Sequence, residues 1–461
     1  MRPGFGINLD SISSWNSYWS STPPSPPRVG GGWGGSRTRA AGLVLAAWVA
    51  LAPLVRAEDW PQFLGPRRDG TSSEIVKPWT GNLKVAWRAK VGDGHSSPVV
   101  AGGRVFLLDK VPGKDVERLT AFDAKTGMQL ASTEYPRAKF ESQFGVGPRA
   151  TPTVSGDQVV TLGVTGRLGF FALSSPNGSL QLQNQAHVDI LEQFKVNNLK
   201  FGLSASPLIE EDFAIVQAGG ELHDGPKGKG AGVLAFDRNS GKLAWQATDH
   251  PASYSSPIAI GEGKNRQVVV LTEKGLVGLS PKDSRVFWEY PFQDPINESS
   301  TSPLLVGDLL IASSVMRGSV ALKLTEKNGQ PGVTEVWKKP ELNCYFSTPV
   351  AVGKDYLYMV NGLLSRNPSI MLRCVETATG KTLWSKSKIG KYHAAIIKTG
   401  DEKLLMLDDA GRLTLIQPNP KEYQQLAQSK VCGETWAHPA LSNGRLYLRD
   451  AKELICLELE K

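Results

Sequence analysis

An all-β, eight-bladed propeller with four antiparallel strands per blade is predicted by three recurring features of the chain. The first is a small-residue and proline pair that opens an apolar run, marked by Pro98, Pro152, Pro207, Pro257, Pro303, Pro349 and Pro439, with Ile396 in the equivalent frame. Successive intervals of 54, 55, 50, 46, 46, 47 and 43 residues each suit one four-stranded sheet with its turns. The second is a turn of the type Phe122-Asp-Ala-Lys-Thr-Gly127, repeated at Phe236–Gly241 and Val375–Gly380, in which glycine supplies positive φ and an Asp or Thr oxygen accepts a local N–H. The third is a tryptophan near the end of the fourth strand: Trp87, Trp245, Trp288, Trp337 and Trp384.

Residues 1–57 read as a leader. Arg37 and Arg39 precede an apolar run from Gly42 to Leu54, and Val55-Arg56-Ala57 is a cleavage site of the small-residue kind, so a secretory signal spans 37–57. That run is too short for a membrane span, which needs about 20 residues. Residues 1–36 are rich in Ser, Pro, Gly and Trp, and a start near Val29 would give a leader of ordinary length. Without the leader's five arginines and one aspartate, the formal charge falls from +8 to +4. The remaining basic residues are scattered, so no nucleic-acid partner is expected; the short Lys227-Gly-Lys229 stretch reads as a solvated loop tip.

Residues 58–82 are expected to form an N-terminal segment packed on the propeller, which occupies 83–461. Each unit opens as Ser97-Pro-Val-Val100 does, turns at a Gly or Asp, and continues through short strands such as Val105–Leu108. A flat indole at one fixed place per blade fills the gap between adjacent sheets and buries about 200 Å². Leu130, Leu182 and Leu426 are expected to take that place in the units without tryptophan. Val188–Lys195 reads as a short helical insertion with Val188, Ile190, Leu191 and Phe194 on one face. The last unit has room for three strands only, so the strand at 83–91 should complete it and seal the ring. Cys344, Cys374, Cys432 and Cys456 form no CxxC motif; three disulfide connectivities, or four buried thiols, are open to them.

The runs Asp237-Arg-Asn-Ser-Gly-Lys-Leu-Ala-Trp245 and Glu376-Thr-Ala-Thr-Gly-Lys-Thr-Leu-Trp384 resemble the pyrroloquinoline-quinone (PQQ) type propeller repeat, and the likeness covers about 80–461. Asp59-Trp-Pro-Gln-Phe-Leu-Gly-Pro-Arg-Arg-Asp-Gly70 is similar to the N-terminal segment of exported PQQ-like propeller proteins known from planctomycetes and related bacteria. The resemblance implies two functional branches. Quinoprotein dehydrogenases bind PQQ and Ca²⁺ at the propeller centre and oxidise alcohols or sugars. BamB-like factors of outer-membrane protein insertion keep the propeller without the cofactor. Neither the vicinal cysteines nor the haem motif of the first branch is present, and the lipobox cysteine of the second is missing.

Superposing the eight units places His95, Arg149, Ser204, Tyr254, Ser300, Phe346, His393 and Trp436 three residues before the proline, in the loop entering the innermost strand. Two residues earlier stand Asp93, Gly147, Gly202, Ala252, Glu298, Cys344, Lys391 and Glu434. Both sets should line a funnel at one mouth of the central channel, whose two His, an Arg, a Tyr, a Trp and three carboxylates could stack a planar ring and hold an anion or a metal. Under the dehydrogenase reading Arg149 would pair with a quinone or carboxylate oxygen and Trp436 would stack on the tricycle. Asn297, Glu298 and Glu434 would then offer oxygens to Ca²⁺, and Asp93 is the candidate base. Under the leading reading the chain is an exported, monomeric binding or scaffolding module. Its partner would be an envelope protein or a small molecule.

Overall fold

A computed structural model describes residues 58–219, 230–362 and 369–459. The signal at 37–57, Lys227 and Lys229 lie outside them. Eight four-stranded antiparallel sheets form blades 1 to 7 (99–136, 153–189, 208–247, 258–291, 304–339, 350–390 and 394–430) and blade 8. Blade 8 is built from Ala440–Ser442, Arg445–Arg449, Glu453–Glu458 and, as its outermost strand, Lys84–Lys90. That strand pairs antiparallel with Glu453–Glu458, so the first strand and the last unit share one sheet and the ring is closed by backbone hydrogen bonds.

The Ser-Pro and Thr-Pro pairs have a definite use. At five of the seven prolines the preceding residue donates its backbone N–H to the hydroxyl of its counterpart in the next blade, as from His438 to Ser97 Oγ (2.9 Å), Ser97 to Thr151 Oγ1 (3.2 Å), Thr151 to Ser206 Oγ (2.9 Å) and Ser206 to Ser256 Oγ (2.9 Å). Ser302 donates to Thr348 Oγ1 in the same way (3.0 Å). All of these groups but Thr348 are buried, and the hydroxyl belt satisfies amides that the short innermost strands leave free. Thr151→Val should therefore strand the Ser97 amide and cost about 1–3 kcal/mol; an unchanged urea midpoint would show that the belt carries no stability.

The five tryptophans fill the blade junctions. Four of them tie one blade to the next: Nε1–H donates from Trp87 to Ala124 O, from Trp245 to Pro281 O, from Trp337 to Thr377 O and from Trp384 to Asn419 O, at 2.7–3.1 Å. Trp288 instead donates to Gln267 Oε1 of its own blade, while its ring packs with Leu310 and Val320 of blade 5. The turn glycines belong to the same contact. Gly127 (φ +74°) and Gly380 (φ +69°) lie under Trp87 and Trp337, where a Cβ would come within 2.5 and 3.0 Å of the indole.

The leucines expected in place of tryptophan do not occupy that position. Register puts Ala131, Ala186 and Ala427 there, each following a bulge that all eight outer pairs share. The helical insertion is a single turn, Ile190–Phe194, and Val188 belongs to the preceding strand. Cys344, Cys374, Cys432 and Cys456 are all free and buried. Burial pushes the thiols of Cys344, Cys432 and Cys456 up to about 12. Among the described residues no helix is long and apolar enough to cross a membrane.

Residues 58–82 run across the blades. Trp60 and Val100 exchange two backbone hydrogen bonds of 2.8 Å, Val154 N–H donates to Pro61 O, and the Arg68 guanidinium donates to Ser206 O and Pro207 O. Ser72 N–H donates to Lys398 O, and the Glu74 carboxylate accepts from Asn443 and Gly444 N–H. Blades 1, 2, 3, 7 and 8 are thus laced to one segment, which carries Phe63 and Leu64 into the channel.

Candidate functional site

A cavity of ≈ 170 Å³ lies on the channel axis. All eight residues of the ring three before the proline line it: His95, Arg149, Ser204, Tyr254, Ser300, Phe346, His393 and Trp436. Of the residues two positions earlier, only Glu298 does. Phe63 and Leu64 of the N-terminal segment also line it, with hydroxyls of the belt between.

Trp436, from the loop between blades 7 and 8, lies across the mouth. Its ring is 5.6 Å from Phe144 in the loop between blades 1 and 2, and 5.0 Å from Phe346 in the loop between blades 5 and 6, which stand opposite each other in an eightfold ring. His95 and Tyr392 each lie 5.7 Å from it. The aromatic run extends from Phe144 to Phe201 (5.4 Å) and on to Tyr254 (5.6 Å), and from Phe346 to Tyr345 (3.8 Å). Pairs at these separations attract by about 0.5–1.5 kcal/mol each beyond their burial.

The polar members of the ring are already engaged. Arg149 donates to the carbonyls of Gly147 (2.5 Å), Gly145 (2.9 Å) and Phe144 (3.4 Å), and burial lowers its pKa to about 10. His95 Nε2 is 2.7 Å from Phe144 O, and burial pushes its pKa down to about 4, so the ring is neutral at physiological pH. Tyr254 OH accepts from Phe201 N–H (3.3 Å), and burial raises its pKa to about 12. The Glu298 carboxylate accepts from Tyr345 OH and from Lys200 Nζ (3.5 Å). His393 Nδ1 is 3.2 Å from Ser347 Oγ; its Nε2 is buried without a partner, and burial holds this imidazole too at about 4.

Several candidates are not brought together. Asp93 does not line the cavity: its carboxylate accepts from Val146 N–H (3.0 Å). Burial would raise its pKa, but that N–H and the nearby His95 and Arg449 hold it below the usual value. Glu434 is exposed and apart from the cavity, so it cannot share an ion there with Glu298. Asn297 (φ +53°) turns its amide nitrogen to Glu273 Oε2 and Asp294 O, both at 3.1 Å. Sequence framing missed Glu273 and the aromatics Phe144, Phe201, Tyr345 and Tyr392. Of these Tyr345 and Tyr392, each one residue before a ring position, carried a positional signal.

These residues do not fit PQQ with Ca²⁺. A tricyclic tricarboxylate needs cations and free donors, yet among the described residues Arg149 is the sole Lys or Arg lining the cavity and its N–H groups already face carbonyls. Calcium wants six to eight oxygens. Among the described residues no group of three or more His, Cys, Asp or Glu side chains converges to hold a metal.

No curated protein matches the sequence. The chain is similar in fold to BamB from Moraxella catarrhalis (15% identity, 82% of this chain and 98% of that one, TM-score 0.54). It is similar also to the quinohemoprotein alcohol dehydrogenase from Comamonas testosteroni (13%, 87% and 80%, TM-score 0.57) and to Sqt1 from Saccharomyces cerevisiae (10%, 84% and 100%, TM-score 0.51). At such identities the likeness shows the propeller alone. A family model described as outer membrane protein assembly factor BamB matches residues 77–189 and 117–371. With that match spanning more than half its length, the chain belongs to the PQQ-like propeller family of the BamB type.

Proposed function

We propose that this chain is an exported, monomeric propeller that works as a non-catalytic binding or scaffolding module in the assembly of envelope proteins. The observation that carries this reading is the commitment of the ring's polar groups to the protein's own loops: Arg149 to three carbonyls, His95 to Phe144 O, and Glu298 to Tyr345 and Lys200. A redox centre needs such groups free to meet cofactor and substrate. Export rests on the leader signal at 37–57, and the envelope role on the family's description.

Titration of the purified chain with micromolar PQQ, with and without Ca²⁺, should give no saturable spectral change, while envelope extracts should retain the protein in a complex larger than the monomer. Saturable, Ca²⁺-dependent PQQ binding that disappears in Arg149→Ala or Trp436→Ala would replace the module by a PQQ-dependent alcohol or sugar dehydrogenase.

A further inference from the structure

We infer that the cleft between residues 58–82 and the innermost strands of blades 4 and 5 docks an extended peptide segment of a partner protein, recognised through its main chain by Ala259 and Leu305. The inference rests on the module reading and gives the module a surface for its partner, apart from the central cavity. Position in the repeat comes first. Alternate residues of an antiparallel strand turn their N–H and C=O to one edge, and two places after each opening proline, or after Ile396 in its frame, that edge faces the channel axis. The N-terminal segment uses three of these positions: Val100 bonds Trp60 in both directions, Val154 donates to Pro61 O, and Lys398 donates to Gly70 O and accepts from Ser72 N–H, all at 2.8 Å. Among the described residues no such bond reaches Ile209, Ala259, Leu305 or Ala351, on four consecutive blades. All four are part-exposed, whereas Val100 and Val154 are buried.

Space comes second. A cleft of ≈ 370 Å³ lies between Arg67, Arg68 and Asp69 of the N-terminal segment and the strand edges that carry Ala259 and Leu305. Unpaired edge groups are a template for another strand. The consecutive residues Trp60 and Pro61 bond blades 1 and 2, so an extended chain laid along the innermost edges meets one blade per residue. A few residues of a partner, laid in the cleft, repeat that pairing on blades 4 and 5. Charge selects neither sign of side chain. Arg67 has Glu58 at 2.7 Å and Asp69 at 3.9 Å, Arg266 has Glu210 at 2.6 Å, and Glu262 also lines the cleft. Arg68 is 4% exposed and donates to Gln62 Oε1, Ser206 O and Pro207 O. The main chain therefore carries the recognition, as it does for the N-terminal segment itself.

Fluorescence anisotropy of the full chain, titrated against a labelled, end-blocked Val-Thr-Val-Thr-Val peptide, tests this. The peptide should bind saturably with a Kd below about 1 mM, and its backbone N-methylated counterpart, which has lost its donors, at least about tenfold more weakly. Versions with Asp or Lys in place of Thr should agree within about threefold. Ala259→Pro removes an N–H that makes no bond in the folded chain, at an edge where proline is tolerated, and should weaken the unmethylated peptide about tenfold. If Ala259→Pro does not fold, the N-methyl ratio of the unaltered chain decides. Absence of binding, equal affinity for the methylated and unmethylated peptides, undiminished binding by folded Ala259→Pro, or a tenfold preference between Asp and Lys each overturns the inference. So does self-association of the chain that Ala259→Pro abolishes, which would put a second copy in the cleft. A chain that binds no peptide but stays in its envelope complex leaves the module reading standing; one that binds PQQ with Ca²⁺ overturns that reading instead.

Discussion

Trp87→Ala is expected to destabilise the folded chain by about 3–5 kcal/mol, the range for emptying a buried tryptophan site. Trp384→Ala should cost roughly half as much, because Trp384 is only half-buried. Trp87 is 8% exposed and sits at the seam between blade 8 and blade 1, in the one strand of the ring that the chain lays down before blade 1. Its indole covers Gly127, lies 5.9 Å from Tyr447 and faces Cys456 across the pair of outer strands. The lost hydrogen bond is the smaller part of the cost, since Ala124 O also accepts from Tyr447 OH and Arg445 Nη1, both at 3.1 Å. The larger part is the void, which backbone pairing on both sides keeps from collapsing. Urea denaturation of the two variants checks the order. Equal losses, or a loss below about 1 kcal/mol at Trp87, would mean that the seam is not held by its indole.

The seam was legible because it is a matter of counting: a last unit one strand short and a first strand without a unit. The ring of eight residues was legible for a related reason. Three residues before the proline, the chain is about to enter an innermost strand whose position the belt of Ser and Thr hydroxyls fixes, so the repeat frame still holds, and His95, Arg149, Tyr254, His393 and Trp436 reach one cavity. Two residues further out the frame fails. There each loop follows its own hydrogen bonds, such as Val146 N–H to Asp93, and Glu434 ends in solvent while Glu298 turns inward.

The outer strands hid more. Ala131 and Ala186 hold the place of a tryptophan, and a methyl group leaves no mark in a sequence that Leu130 and Leu182 do not overwrite. A slip of one residue across a bulge moves a side chain to the other face of the sheet, so register had to come from pairing. What the ring's polar groups do was equally out of reach. Arg149 in a channel reads as an anion receptor until Gly145 and Gly147 are seen to fold their carbonyls onto it.

Glu273→Gln is expected to stabilise the protein at alkaline pH by about 3–5 kcal/mol and to change it little near pH 5. Glu273 is 3% exposed; burial first, and then the carboxylates of Asp294 and Glu298, raise its pKa from 4.5 to about 8. Its Oε1 has no hydrogen-bond partner, and Asn297 serves Oε2. The sign follows from proton counting. Below pH 4.5 both folded and unfolded chains hold the proton. Between 4.5 and about 8 the folded chain keeps it and the unfolded chain has released it, so stability falls as pH rises through that window, by about 1.4 kcal/mol for each pH unit crossed. Glutamine copies the neutral form, keeps an oxygen for Asn297 and removes the loss. Chemical denaturation of both proteins at about pH 5 and about pH 9, either side of that window, measures the difference, and a gap that does not widen with pH would show that Glu273 ionises like an exposed carboxylate. The same burial that makes Glu273 costly to ionise places it beside the Asn297–Glu298 turn at the channel wall. Relief of that cost in the variant therefore measures how far the wall around Glu298 is shielded from water.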